Sequence, residues 1–396
     1  MKNKMKPIYL DHSATTPADS RVADKVVEVM VSKFGNPSSI HSFGRDARSV
    51  LAKSRSIIAN SLNCNPEEIY FTSGGTESDN IAMLGYVRKN GNLGDRVIIS
   101  NIEHPAIEKS AEELERLGYD VVHVKADSFG RVTPEAVMSK VNAQTILVSI
   151  MHVNNEVGTI NDISTIGKVL RSKGIVFHTD AVQSFGKLPI DVDKMNIDIL
   201  SLSSHKIYGP KGVGAMFIRS GIKIQPLFFG GNQEERVRMG TENLSGIVGL
   251  AEAVNICQNE MKPEAEYLTK LREQLHSTIL AKLDDVTLNG HPTDRLPGNL
   301  NLTFHGVEAE SLLMALDING IAVSSGSACS SGSTLPSGIL LSLGLSEEDA
   351  QSSIRFTLGR SNTPEEMKRT ADVVIATVNR LRKMSDREYS STRRSA

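Results

Sequence analysis

Residues Ile175–Ile218 read IVFHTDAVQSFGKLPIDVDKMNIDILSLSSHKIYGPKGVGAMFI. Three short apolar runs stand in this stretch: IVFHTD (Ile175–Asp180), DILSLS (Asp198–Ser203) and GAMFI (Gly214–Ile218). Runs of this length, bounded by Gly, Pro and Asp, read as buried strands. The same kind of run occurs upstream at Glu68–Thr72, Arg96–Ser100, Val121–Val124 and Thr145–Met151. Helix-like amphipathic segments alternate with them, at Asp79–Lys89, Ala106–Leu117 and Ile163–Ser172. That alternation predicts an α/β fold around a mainly parallel central sheet.

The chain has 396 residues. A single core stops growing at roughly 250–300 residues, so a large domain and a smaller one are expected. The character changes after about Gln258: a long charged helix leads to NLNLTF (Asn299–Phe304), the helix EAESLLMALD (Glu308–Asp317) and the strand IAV (Ile321–Val323). SSIRFTL (Ser352–Leu358) reads as a further strand, and Thr363, Pro364 and Glu366 as the capped start of a last helix. The expected division is a large domain over 15–257, a small α/β domain from 1–14 with 258–385, and a frayed tail at 386–396. Lys and Arg total 44 against 46 acids, which excludes a strong field for nucleic acid or an anionic membrane. No apolar run reaches membrane-spanning length. Cys64, Cys257 and Cys329 are odd in number and far apart, so neither a zinc site nor a disulfide framework is expected. Free thiols imply a reducing compartment, here the cytoplasm.

In an open α/β sheet, ligands gather at the carboxyl ends of the strands. EIYFT ends in Ser73-Gly74-Gly75-Thr76, a set of small residues that could seat an anion or make an ordinary turn. IVFHTD ends in Asp180, a carboxylate whose burial calls for a positive partner, with Gln183 three residues on. DILSLS ends in Ser203-Ser204-His205-Lys206, and a lysine in a partly dry site can attack a carbonyl. An anion seat, a carboxylate and a lysine together match the phosphate, pyridinium nitrogen and aldehyde of pyridoxal phosphate. His104 follows another strand end, where it can lie on a flat cofactor or start the next helix. Asn154 and Asn155 follow the strand Thr145–Met151, and Arg355, inside an apolar strand, needs an anion: a substrate carboxylate or a structural acid.

Ten segments carry a resemblance to a known family: IYLDHSATTP, FGNPSSIHSFGRDAR, IYFTSGGTESDNIA, EHPAI, TILVSIMHVNNEVGTI, FHTDAVQSFGK, SHKIYGPKGVGA, GGNQEERVRMGTENLSGIVG, VSSGSACSSGS and SSIRFTLGR. In this order they resemble the class V aminotransferase-like enzymes, and within them the cysteine desulfurases of the NifS and IscS type. The resemblance implies the fold type I of pyridoxal phosphate-dependent transferases and conversion of L-cysteine to L-alanine. It implies that Lys206 carries pyridoxal 5′-phosphate as a Schiff base, Asp180 pairs with the ring nitrogen and His104 stacks on the ring. Gln183 and Asn155 would contact ring and substrate; Gly75, Thr76, Ser203 and His205 would hold the phosphate. Thr241 would reach the phosphate of a second subunit in a homodimer, and Arg355 would bind the carboxylate of L-cysteine. An iron–sulfur scaffold protein is the implied sulfur acceptor.

One stretch looks unlike the rest: AVSSGSACSSGST (Ala322–Thr334), a Ser/Gly tether around a single cysteine. The resemblance makes Cys329 the sulfur acceptor, and a tether suits a thiol that collects sulfur at one place and delivers it at another. An unperturbed thiol is only a few per cent ionised at pH 7, so a proton acceptor such as His104 is expected beside it. His12 and Leu335 depart from the family pattern, at positions that carry no assigned role.

Overall fold

A computed structural model describes residues 6–325 and 335–394, with side chains through residue 384. Cys329 lies outside the described residues. After a short β1 (Ile8–Tyr9), seven strands build the main sheet: β2 (Ile69–Thr72), β3 (Arg96–Ser100), β4 (Asp120–Val124), β5 (Thr145–Ser149), β6 (Val176–Asp180), β7 (Ile199–Ser203) and β8 (Gly214–Ile218). Their order is β2-β8-β7-β6-β5-β3-β4. β7, β6, β5, β3 and β4 run parallel to one another, while β8 runs antiparallel to both β7 and β2. The parallel strands therefore point their carboxyl ends to one edge, as the sequence predicts. β5, β7 and β8 are buried along their whole length, and separate apolar clusters pack the two faces of the sheet. That double burial is why these strands read as continuous apolar runs rather than alternating ones.

Two smaller sheets follow. β9 (Val286–Asn289), β10 (Asn299–Phe304) and β12 (Ser353–Thr357) form an antiparallel sheet in the order β12-β10-β9, and β11 (Ile321–Ala322) pairs with β1. Their core is a third cluster that includes Leu302, Phe304, Ile354 and Phe356.

Three local expectations change. The helix expected over Asp79–Lys89 starts earlier, at Gly75, because Gly74 takes a φ of 154° that lets the chain leave β2 and turn at once into the helix. It also passes through a π turn at Ile81–Gly85. The long helix expected after Gln258 spans Leu244–Leu280, so the change of character at Gln258 falls inside one continuous element. Its Leu244–Cys257 side chains pack in the main core and Leu268–Ile279 in the small one, with Pro263 between the two sets. The last helix runs Pro364–Arg394, so residues 386–394 of the tail expected to fray have helical backbone. Once a helix is nucleated, each added residue gains one hydrogen bond.

His152 sits just past β5 and is 5% exposed; burial pushes its imidazole down to about 4. The unfolded chain takes up this proton near pH 6.5, and the folded chain only near pH 4. The stability due to the neutral ring is therefore complete above about pH 6.5 and is lost as pH falls towards 4. His152→Gln is expected to flatten the pH dependence of urea unfolding in that window by ~1.4 kcal/mol per pH unit. An unchanged slope would refute the assignment.

Candidate active site

The carboxyl ends of β2, β3, β6 and β7 bring the expected residues to one edge of the main sheet. Asp180 ends β6, and its Oδ1 accepts from Val182 N at 2.8 Å. Burial raises its carboxyl above the usual carboxylate range, while His104 and Lys206 pull it down. One ring nitrogen of His104 and one carboxylate oxygen from each of Asp79 and Asp180 lie within 4.8 Å of one another. His104 is also the cap of the helix Pro105–Arg116, its Nδ1 accepting from Ala106 N at 3.1 Å. The two roles left open at this position are thus compatible. With Nδ1 engaged, the neutral ring carries its proton on Nε2 and donates there. Accepting a thiol proton at Nε2 requires that proton to leave first.

Lys206 follows β7 in a short turn, and its Nζ donates to Ser13 O at 2.5 Å and Ala14 O at 2.8 Å. The same Ser13 carbonyl accepts from Gln183 Nε2 at 3.0 Å. His205 Nδ1 meets Thr15 Oγ1 at 3.1 Å, and burial together with Lys206, Lys211 and Lys187 pushes the ring down to about 4. The segment Ser13–Thr16 from the N-terminus thus lies across the turn that holds the lysine. At the end of β2, a Cβ added to Gly74 would stand 3.7 Å from Ser203 Oγ, and one added to Gly75 2.7 Å from Val182 Cγ2. The Gly74–Gly75 backbone accordingly lies against the ends of β6 and β7, with Ser203 buried and Thr76 exposed. Thr241 is exposed in the loop before the helix Leu244–Leu280.

The two asparagines separate. Asn154 is a structural clamp: its Nδ2 donates to Ile102 O, and its Oδ1 accepts from Glu156 N and Val157 N. Asn155 Oδ1 is buried with no hydrogen-bond partner among the described residues. Arg355 has found an anion inside the chain, the structural acid that stood as the alternative to a substrate carboxylate. Its Nη2 donates to Asp11 Oδ1 at 2.8 Å and its Nη1 to Asn155 O at 3.0 Å, while Nε is buried without a partner among the described residues.

The aminotransferase class-V model matches residues 8–370. The chain belongs to the class-V aminotransferase family. A cysteine desulfurase IscS of Dictyoglomus turgidum is 44% identical over 378 residues, 96% of each chain. A solved NifS-like protein superposes with a TM-score of 0.89 at 34% identity, covering 94% of this chain and 99% of that one. SspA, solved in complex with cysteine, gives a TM-score of 0.79 at 36% identity, covering 89% and 98%. Class-V aminotransferases and cysteine desulfurases use pyridoxal phosphate.

The site's chemistry fits that cofactor. A buried carboxylate, an amine, an orphaned amide oxygen and a glycine turn converge at one sheet edge of this class-V chain. Several participants escaped sequence reasoning although the quoted motifs contain them. Asp79 is fully buried 3.8 Å from His178 Nε2, and its carboxyl is raised by burial and then by Asp180. Burial pushes Glu103 up to about 8, and desolvation and the nearby Lys206 push the half-buried Lys187 down to about 8. None of them received a role from the sequence, because nothing local in the sequence reports burial.

Arg355 is 2% exposed at its side chain and Asp11 18%. Removing one partner of a buried pair costs about 3–5 kcal/mol. Asp11→Ala is therefore expected to lower the unfolding free energy by about 3 kcal/mol in urea titration; a loss under ~1 kcal/mol would show that the Asn155 carbonyl alone satisfies the guanidinium.

Proposed function

We propose that this chain is a pyridoxal phosphate-dependent cysteine desulfurase that converts L-cysteine to L-alanine and leaves the sulfur as a persulfide on Cys329. One observation carries the reading: Lys206 and Asp180 stand at neighbouring strand ends, an amine and a buried carboxylate at one sheet edge. The division into a large unit, 15–257, and a small one, 1–14 with 258–385, belongs to the same proposal.

In this reading Lys206 would hold the cofactor through its aldehyde and Asp180 would pair with the ring nitrogen. His104 would stack on the ring, Gln183 and Asn155 would orient ring and substrate, and Gly75, Thr76, Ser203 and His205 would hold the phosphate. When bound, pyridoxal phosphate supplies an electron sink that makes the Cβ–S bond of the substrate cleavable. Arg355 Nε, buried and unpartnered among the described residues, would be available to the substrate carboxylate beside the Asp11 pair. The Cys329 thiolate takes the sulfur, so that L-cysteine and the Cys329 thiol become L-alanine and the Cys329 persulfide. As the product carbon gains a proton the Cys329 thiol loses one, and His104, whose Nδ1 accepts from Ala106 N, can give its Nε2 proton to that carbon and take the thiol proton in its place. Burial pushes the Cys64 thiol up to about 12 and that of Cys257 up to about 11, so neither is a ready nucleophile at neutral pH.

The persulfide passes to an acceptor for iron–sulfur assembly, a scaffold protein, with no role for nucleic acid or membrane. Among the described residues no helix is long and apolar enough to cross a membrane. The cytoplasm is the proposed location, in keeping with the free thiols.

A homodimer completes the site in this reading, with Thr241 reaching the second subunit's phosphate. An apolar stripe supports it: Val27, Met30 and Val31 on the helix Ser20–Ser32, then Phe34, Ile40 and Phe43, all more than half exposed. The i, i+3, i+4 spacing puts the first three on one helix face. Met30→Lys with Val31→Glu is expected to shift the sedimentation coefficient from dimer to monomer, and an unchanged dimer would sink this interface.

Cys329→Ala is expected to bind the cofactor with its visible absorbance intact and to release no sulfide from L-cysteine. Sulfide release at the wild-type rate would remove Cys329 from the mechanism, and a purified protein unable to take up pyridoxal phosphate would remove the whole reading.

A further inference from the structure

Glu156 has no role in the scheme above, yet it occupies a junction. It is 2% exposed, and its Oε2 accepts from Ser337 Oγ at 2.5 Å. Burial pushes its carboxyl above the usual carboxylate range, with Ser337, Arg355 and His104 opposing the rise. Its backbone oxygen accepts from Asn299 Nδ2 at 3.3 Å and Asn301 Nδ2 at 3.2 Å, both on β10. One peptide earlier, Asn155 O accepts from Arg355 Nη1.

The other ends of these contacts matter as much. Ser337 lies eight residues after Cys329 and Ser324 five residues before it. Ser324 and Arg355 exchange both backbone hydrogen bonds, at 3.2 and 2.6 Å. The two roots of the cysteine-bearing stretch are thus fastened to one dipeptide. Ser324 reaches Asn155 through Arg355, and Ser337 reaches Glu156 directly. That dipeptide also presents the orphaned Asn155 Oδ1.

Helix capping does not account for the carboxylate. Ser337 Oγ accepts from Leu340 N at 3.2 Å and caps its helix without help from Glu156. Stability does not account for it either, since a buried polar pair is often replaced by apolar residues of similar volume at no loss. What a directional hydrogen bond adds is position.

We propose that Glu156 is a positioning residue for Cys329: through Ser337 it ties the C-terminal root of the cysteine-bearing stretch to the loop that carries Asn155, so that the reach of the thiol is set from the cofactor wall. The proposal rests on the reading of Cys329 as sulfur acceptor.

The test uses the cofactor-loaded protein in single turnover. The change in cofactor absorbance on adding L-cysteine reports binding and the early steps, and intact-mass spectrometry reports persulfide on Cys329. Glu156→Leu and Ser337→Ala are each expected to slow persulfide formation about tenfold while the absorbance change stays within about twofold, the size of effect expected for one hydrogen bond. The double variant is expected to be no slower than either single one, and Ser337→Thr, which keeps the hydroxyl, to restore the rate. In cofactor-free protein, alkylation of Cys329 by iodoacetamide, followed by peptide mapping, is expected to change about threefold in Ser337→Ala. Persulfide formation at the wild-type rate, equal slowing of the absorbance change, additive losses in the double variant, or unchanged alkylation would each overturn the proposal. If Glu156→Leu fails to fold, Ser337→Ala, whose position is at the start of a five-residue helix, carries the same test. Should Cys329→Ala still desulfurate, the functional reading fails; should Cys329 be required but Ser337→Ala behave as wild type, only the positioning role fails.

Discussion

One guanidinium joins the parts of the molecule that have to meet. Arg355 stands in the middle of β12, its side chain 2% exposed, with Asp11 on one nitrogen and the Asn155 carbonyl on another. Its backbone bridges to Ser324 and its strand pairs with β10. The N-terminal segment, the loop after β5, and the start of the cysteine-bearing stretch are therefore held by one residue. A buried cation of this kind is tolerated only where several oxygens surround it, and those oxygens come from segments far apart in the chain. The cost of burying the charge is what forces the segments together.

The edge of the main sheet adds a second constraint. Asp79, Glu103, Asp180 and Glu156 are buried carboxyls raised by desolvation, and His178 and His205 are imidazoles held neutral by the same cause. His178 bonds Ser149 Oγ at 2.8 Å and Ser201 Oγ at 3.1 Å, so β5, β6 and β7 are also linked behind the site. Low-dielectric surroundings of this composition strengthen every interaction made with a charged group. Clusters of perturbed groups in a cleft are what a catalytic site requires, and here the cluster coincides with the strand ends.

The N-terminal segment shows how little of a site can be local. Ser13 O receives hydrogen bonds from both Lys206 and Gln183, and Thr16 bonds the backbone of His205 and Tyr208. His12, beside it, is buried against Gly359, where a Cβ would stand 2.2 Å from the ring. A glycine is required at that close approach, and its partner lies almost the whole chain away.

Strand lengths, the alternation with helices, and the residues at each strand end are properties of neighbours in sequence, governed by periodicity and turn chemistry. They determined the α/β class, the parallel sheet, and the candidates Asp180, Gln183, Ser203, His205, Lys206 and His104. Residue reading also raised Arg355 as a cation in need of an anion, and resemblance to a family added the roles of Cys329 and Thr241. Burial is a property of the whole packed chain, and only the tertiary structure decided it. It turned Asp11 into the partner of Arg355, separated Asn154 from Asn155, and gave Asp79, Glu103, Lys187 and Glu156 charges that are costly to keep. The physical reason is desolvation: a carboxylate in a motif looks the same on paper whether water or protein surrounds it, and its energy differs by several kcal/mol between the two.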